Sequence, residues 1–491
     1  MTTYPENLYT AEQTRKLDQI AIEEFDIPAS TLMARAADSV FETLSERYPK
    51  AKKIAVVTGL GNNAGDGFML ARLAQGLNYK VTVYHLGEAD KYKDDCFDAY
   101  QRMQGTDVSI INYTSQDFKD CDVIIDGIFG IGLNREAGGL FKTAIEKINN
   151  SGKPTIAIDI PSGLNANTGT VWGVAIKANI TISFIGLKQG LLTGEGPEYS
   201  GELLFDDLDV PKAVYDQVPT DTMHCSWENS KKLLQKRSRN AHKGNFGHSL
   251  LVGGDKGMGG AIQMAATAAL RVGSGLVSVA THTEHAAAIT AARPEIMCVG
   301  AESPKDLNDK LELATVIGLG PGLGKSKWAK KLYGAIMQTK LPLVIDADAL
   351  NLLSEKPSRK ENWILTPHPG EAGRLLNCTT QEIQSDRFLA IKEIQKKYGG
   401  VIVLKGAGSL ICDGSKTYVC TDGNPGMASG GMGDVLTGIL TGLIAQGFDL
   451  ATSAKLGVCL HAAAGDQAAK DGERGLMASD VIASLKQFVN P

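Results

Sequence analysis

The residues best equipped for chemistry lie between Asn424 and Thr441, in the run Asn-Pro-Gly-Met-Ala-Ser-Gly-Gly-Met-Gly-Asp-Val-Leu-Thr-Gly-Ile-Leu-Thr. Glycines and small residues lead into an apolar, helix-like stretch, and one carboxylate, Asp434, stands at the junction. Glycine backbone lets N–H groups converge on a ligand, and the start of a helix adds positive dipole. Such a loop suits a phosphate group, with Asp434 beside it as a base. The pattern predicts a phosphoryl-transfer site confined to the second half of the chain.

Other segments in that half carry similar potential. Lys243-Gly-Asn-Phe-Gly-His248 and Gly253-Gly-Asp-Lys-Gly-Met-Gly-Gly-Ala261 flank an expected strand, and Gly318-Leu-Gly-Pro-Gly322-Leu-Gly324 follows another. In Thr366-Pro-His368-Pro-Gly370-Glu371, prolines fix the backbone on both sides of His368, which raises it above an ordinary surface histidine. Leu404-Lys405-Gly-Ala-Gly-Ser409 reads either as a hairpin turn or, with the glycine loop, as a clamp on a nucleotide phosphate.

The first half has three equipped loops. Gly59-Leu-Gly-Asn62-Asn63-Ala64-Gly65-Asp66-Gly67 offers backbone, two amides and a carboxylate, and matches neither G-x-G-x-x-G nor a Walker motif. Asp126-Gly-Ile-Phe-Gly130-Ile131-Gly132-Leu133-Asn134-Arg135-Glu136 adds a guanidinium suited to phosphate. Asp159-Ile-Pro-Ser162-Gly163 is the third. Each alone passes for a tight turn, but together they predict one crevice at the carboxyl ends of parallel strands. Asp159 is the expected acid or base, its pKa raised at a partly dry strand end. Asn63, Asp126 and Ser162 all bear oxygen, a set that suits a hard cation rather than zinc.

These loops need strands and helices to hold them. Thr10-Ala-Glu-Gln13 has a capping-box pattern ahead of Leu17, Ile20, Ala21 and Phe25 at helical spacing, and a second helix is expected from Ser30 through Leu44. Strands are predicted at 54–58, 80–84, 123–126, 155–160 and 180–184, with a helix at 67–77. In the second half they fall at 250–252, 276–280, 316–319, 343–346, 363–366 and 401–404, with a helix at 260–272. Alternating β and α elements favour mainly parallel, helix-covered sheets. The rhythm lapses between Asp207 and Lys243, and the boundary between two α/β domains is placed at 222/223.

With 491 residues, two domains of similar size are expected. A net charge of -5 argues against nucleic acid as the main partner. No apolar run spans a bilayer, and the N-terminus lacks signal-peptide character, so a cytoplasmic enzyme is expected. The eight cysteines show no CxxC pair and no metal-type spacing, and read as reduced packing thiols.

Asn-Asn-Ala-Gly-Asp-Gly, Asp-Gly-Ile-Phe-Gly-Ile-Gly-Leu and Asp-Ile-Pro-Ser-Gly, in that order, resemble the NAD(P)H-hydrate epimerase family. From about residue 230 onward, His-Lys-Gly-x-Phe-Gly, Gly-Leu-Gly-Pro-Gly-Leu-Gly, Thr-Pro-His-Pro-Gly-Glu and Gly-Gly-Met-Gly-Asp-Val-Leu-Thr-Gly resemble the ADP/ATP-dependent NAD(P)H-hydrate dehydratases of the ribokinase-like superfamily. The resemblance implies an N-terminal Rossmann-like α/β/α epimerase domain (1–222) and a C-terminal ribokinase-like α/β dehydratase domain (223–491). It implies that residues 62–66, residues 130–136 and Asp159 contact hydrated NADH or NADPH, and that Asn63, Asp126 and Ser162 face K+. In the second domain it implies Ala261, Gly322, His368 and Asp434 around the hydrate. Lys405, Gly406, Ala407, Gly408, Ser409 and Gly433 would then hold ADP, with Mg2+. A homo-oligomer is expected. The alternative is a small-molecule kinase of the hydroxymethylpyrimidine type with a regulatory first domain.

Overall fold

The structure, a computed structural model, describes residues 4–133 and 135–490. Its contacts divide into two compact units, Met1–Thr222 and Met223–Pro491.

In the first unit, Thr10 caps the helix Ala11–Glu23. Its hydroxyl accepts from Gln13 N at 3.2 Å, while the Gln13 side chain accepts from Thr10 N at 2.9 Å. This is the capping box read from the sequence. A second helix, Ala29–Arg47, follows. The sheet is built from β1 (Lys53–Thr58), β2 (Lys80–His85), β3 (Ser109–Asn112), β4 (Val123–Gly127), β5 (Thr155–Ile158), β6 (Ile180–Phe184) and β7 (Glu202–Asp206). Their order is β3-β2-β1-β4-β5-β6-β7 and every pairing is parallel. Alternate residues serve opposite faces: Ile54, Val56, Ile125 and Ile156 join one core cluster, and Ala55, Val57, Ile124 and Ala157 another. With both faces covered, β4, β5 and β6 are buried throughout, as continuous apolar runs require. The result is the expected three-layer α/β/α arrangement.

The second unit contains β8 (His248–Val252), β9 (Leu276–Thr281), β10 (Met297–Gly300), β11 (Val316–Leu319), β12 (Leu343–Ile345), β13 (Trp363–Leu365), β14 (Val401–Leu404), β15 (Ser409–Cys412) and β16 (Thr417–Cys420). These run β16-β15-β14-β13-β12-β11-β8-β9-β10. Pairings from β10 through to β14 are parallel, and β14, β15 and β16 form an antiparallel ribbon. Of the two readings of residues 405–409, the turn is therefore present: it links β14 to β15. The helix Met432–Ala445 is buried from Val435 onward, because its apolar residues occupy every face. In both sheets the strand order reverses beside the first parallel strand, between β1 and β4 and between β8 and β11. A crevice opens at such a reversal, beyond the carboxyl ends of the strands.

Candidate functional site

In the first unit the loops after β1 and β4 meet at the reversal. A Cβ on Gly59 would lie 2.1 Å from the Ile128 carbonyl oxygen, so only glycine allows this approach. Beside them is a cavity of about 920 Å3. Asn62, Asn63, Asp66, residues 130–133, Arg135, Glu136 and Asp159 all line it. Asn134 lies outside the described residues. Ala64 and Gly65 depart from expectation: both are buried, and a Cβ on Gly65 would meet Met33 Cε at 2.9 Å. The helix begins at Asn62 rather than Gly67, which turns these two residues into the core.

Asp159, the acid or base expected from the sequence, is closely partnered in the structure. It sits in the left-handed region (φ 68°), and its Oδ1 accepts from Phe184 N at 3.1 Å and from the ammonium of Lys188. Lys188 is 1% exposed and also donates to the Phe184 carbonyl at 2.9 Å. A buried cation thus holds Asp159 as its counter-ion. Two other acids on the cavity wall have raised pKa values. Burial pushes Asp18 up to about 7, with Lys188 opposing and Asp159 reinforcing. Burial, then the charges of Asp159 and Asp18, raises Asp66 well above the usual carboxylate range.

Asn63, Asp126 and Ser162 do converge. Ser162 donates from N to Asp126 Oδ2 at 2.8 Å and from Oγ to Oδ1 at 2.6 Å, and Ile128 N reaches Oδ1 at 3.2 Å. Phe129 bridges the three, its carbonyl accepting from Asn63 Nδ2 at 3.1 Å and its N–H donating to Ser162 Oγ at 2.8 Å. Burial raises Asp126 to about 6 despite these hydrogen bonds. Among the described residues no ion pair reaches it.

In the second unit the reversal is closed by the loops after β8 and β11, with Gly254 N donating to Pro321 O at 3.0 Å and Asp255 N to Gly322 O at 2.7 Å. A Cβ on Gly322 would sit 3.2 Å from that of Ala261, at the start of the helix Gly259–Val272. Asp346, directly after β12, organises the centre. Its Oδ1 accepts from Lys405 Nζ at 2.8 Å and its Oδ2 from Thr437 Oγ1 at 2.8 Å. A Cβ on Gly433 would lie 3.3 Å from Lys405 Nζ, so the glycine loop and the lysine share one place. Burial works against the Lys405 ammonium, but Asp346 and Glu371 outweigh it and raise its pKa. Asp434, in the first turn of its helix, is pushed to about 6 by burial and then by Asp346, with Lys405 opposing. Glu371 is raised to about 7 by burial, with Lys405 opposing.

His368 caps the helix Pro369–Leu376, its Nδ1 accepting from Gly370 N at 3.0 Å. Burial and the Lys405 charge lower its pKa, so the ring is neutral and presents Nε2–H as a donor. Residues 405–408 are pinned from below by Arg387, 1% exposed, whose guanidinium donates to the carbonyls of Leu404, Lys405 and Gly408 at 3.3–3.4 Å. Lys243–Phe246, by contrast, precedes β8 at the amino end of the sheet and does not join the site.

Sequence reasoning missed Asp18, Lys188, Asp346 and Arg387. Asp346 and Lys188 each follow a buried strand closely, a position where a charged residue is a usable signal. Asp18 and Arg387 lie within amphipathic helices, where nothing local marks them.

A family model described as NAD(P)H-hydrate dehydratase matches residues 249–487, and one described as YjeF-related protein N-terminus matches residues 29–190. A bifunctional NAD(P)H-hydrate repair enzyme of Coxiella burnetii is 48% identical over 486 residues, 99% of each chain. Its counterpart in Escherichia coli is 39% identical over 492 residues, covering 99% of this chain and 95% of that one. Among solved structures, a ribokinase-like superfamily protein of Enterococcus faecalis is 31% identical, with a TM-score of 0.52 over 55% of this chain and 96% of that chain.

Proposed function

The chain belongs to the family of bifunctional NAD(P)H-hydrate repair enzymes, and on that premise we propose that it returns hydrated NADH and NADPH to use. The first unit interconverts the R and S epimers, and the second dehydrates the S form with ADP, giving AMP and phosphate. The observation that carries this reading is 48% identity along 99% of both chains, joined to two equipped strand-end sites in one polypeptide. The kinase alternative has less support, since the full-length relatives carry the repair name.

In the first unit the hydrate ring lies in the 920 Å3 cavity. Its hydroxyl leaves as water, taking a proton from Asp66 or Asp18 while the ring nitrogen lone pair expels it. Asp159, paired with Lys188, stabilises the cationic ring, and water adds back to either face, returning a proton to the carboxylate that gave one. Asn63, Asp126 and Ser162 fit K+, because they bring side-chain oxygens together at a buried carboxylate, Asp126, that has no ion-pair partner among the described residues. When bound, K+ supplies fixed positive charge that keeps Asp126 ionised.

In the second unit Asp434 takes the proton of the hydrate hydroxyl as its oxygen attacks the terminal phosphoryl group of ADP. Gly433 N–H, the helix dipole and Lys405 hold the phosphates, and the 406–409 turn holds the nucleotide. Phosphate then departs as the nitrogen lone pair forms a C=N+ bond, and loss of a proton from the neighbouring ring carbon to solvent gives the C=C bond of the reduced nicotinamide. His368 orients the ring through Nε2–H, and Ala261 and Gly322 line its seat. Burial, then the charge of Asp346 and more weakly that of Asp348, two residues on, raises Asp434. Carboxylate oxygens such as those of Asp434 and Asp348 would be the ligands of Mg2+, which would offset charge on the phosphates. All eight cysteines are free thiols, which supports a cytoplasmic setting. We assign it a homo-oligomeric state.

A mixed R/S hydrate of NADH, given ADP or ATP, tests the reading through regain of reduced-nicotinamide absorbance. The expected result is recovery of the whole pool, with Asp434→Asn recovering none yet still interconverting the epimers. Recovery of half the pool refutes the epimerase, and no recovery with either nucleotide refutes the dehydratase.

A further inference from the structure

Three cysteines far apart in sequence meet inside the second unit. Cys225 ends a short further strand, Thr222–Cys225, that lies beside β16; Cys420 ends β16, and Cys459 belongs to the helix Leu450–Ala468. Their sulfur atoms all lie within 4.8 Å of one another. The side chains are 6%, 1% and 0% exposed. No other trio of cysteine, histidine or acidic side chains converges this way among the described residues. All three sit in the buried apolar core, as packing thiols do, and their spacing in sequence gives no sign that they also form a cluster.

We propose that Cys225, Cys420 and Cys459 form a binding site for a thiophilic d10 cation of the Zn2+ type. A metal–sulfur bond of about 2.3 Å places sulfurs of one coordination shell about 4 Å apart. The observed separations reach that with little movement. Soft sulfur donors select Zn2+ or Cu+ over the hard cations suited to the two active sites. On binding, three S–H protons pass to solvent as three sulfur–metal bonds form.

The chain segments that carry two of the ligands are already held together. Asp422, two residues past Cys420, accepts from Trp227 N at 2.5 Å, and Thr421 N donates to the Cys225 carbonyl at 3.4 Å.

The site also has a consequence for the fold. Cys420 directly precedes the segment that carries Asn424 to Gly431 into the catalytic helix. Asp466, on the same helix as Cys459, already holds that segment through Gly423 N at 2.9 Å and Asn424 Nδ2 at 2.8 Å. The ion would fasten the helix and the sheet edge together at the root of the glycine loop.

The test uses the full-length protein, reduced and stripped with chelator, titrated with Cd2+ as a spectroscopic substitute. The expected result is an ultraviolet thiolate-to-cadmium charge-transfer band that saturates at one equivalent. It should be lost in Cys420→Ser and Cys459→Ser and kept in Cys378→Ser. Absence of the band, or its persistence in both of the first two variants, overturns the site. Because those variants remove core groups, circular dichroism checks their fold. X-ray absorption on wild-type protein loaded with Zn2+ needs no variant: three sulfur neighbours support the site, and one or none refutes it.

Discussion

If Asp434 is the base of the dehydratase, its perturbed pKa sets the acid limb of that activity. Burial and Asp346 raise it from 3.8 to about 6. With a pKa of about 6, roughly nine-tenths of the carboxylate is ionised at pH 7 and one-tenth at pH 5, a fall of about tenfold in the active form. An unperturbed aspartate would lose almost nothing over the same interval. The assay is the initial rate with the S hydrate at subsaturating concentrations of both substrates, where the rate reports the unliganded enzyme. Glu371 titrates in an adjoining range and must be separated; in Glu371→Gln the limb near pH 6 should remain. Asp346→Asn removes one charge that raises Asp434 and frees Lys405 to approach it, so the limb should move to lower pH. Asp434→Asn should lose about 10²–10⁴-fold, the usual contribution of a positioned base. A wild-type profile flat from pH 7 to pH 5, or an Asp434→Asn enzyme within a few-fold of wild type, would refute the assignment.

The epimerase should show the opposite limb. Its proton donors Asp18 and Asp66 are raised by burial, Asp18 to about 7. Epimerisation, followed by chromatographic separation of R and S, should therefore fall as pH rises through and above about 7, and should fall further in Asp66→Asn. Potassium can be read through stability. Asp126 has its folded pKa raised from 3.8 to about 6, so its contribution is present below about 4 and lost as pH climbs through 6. A cation on the ionised carboxylate restores that loss; replacing NaCl by KCl should raise the melting temperature at pH 7 more than at pH 4.5, and Asp126→Asn should abolish the difference. Arg387→Met should leave the buried carbonyls under residues 404–408 without their donor, at about 1–3 kcal/mol. The nucleotide KM should rise more than that of the hydrate, measured by varying each in turn.

Much of this arrangement was legible because it rests on local rules. The Thr10 capping box, the apolar runs of β4, β5 and β6, and the glycine loop entering the helix at Met432 each declare themselves within a few residues. Edge elements were not legible. β3 and β7 are short and partly exposed, and β15 and β16 carry mixed polarity because they form an antiparallel ribbon at the edge of a parallel sheet. In the site, motif residues such as Asp126 and Ser162 were found because they fall next to glycines at strand ends. Lys188 was not, since its partner Asp159 lies 29 positions away and only the pairing of β5 with β6 brings them together. Arg387 acts on backbone carbonyls, whose identity no sequence pattern records.

Under the proposed function the same residue type takes opposite jobs in the two units, and the difference comes from neighbours as well as from burial. Asp66 and Asp18 crowd the anion Asp159, whose charge reinforces what burial begins, so they keep protons to donate at neutral pH. Asp434, raised first by burial, feels Asp346 as a like charge too, but Lys405 opposes both and its rise stops at about 6. It is therefore a base at neutral pH and still strong enough to take a proton. A lysine opposes the rise in both cases. In the first unit Lys188, bonded to Asp159, only partly offsets the rise of the two acids; in the second Lys405, bonded to Asp346, limits the rise of Asp434. A donor that fails above about 7 and a base that fails below about 6 overlap around neutrality, where whole-pool repair requires both.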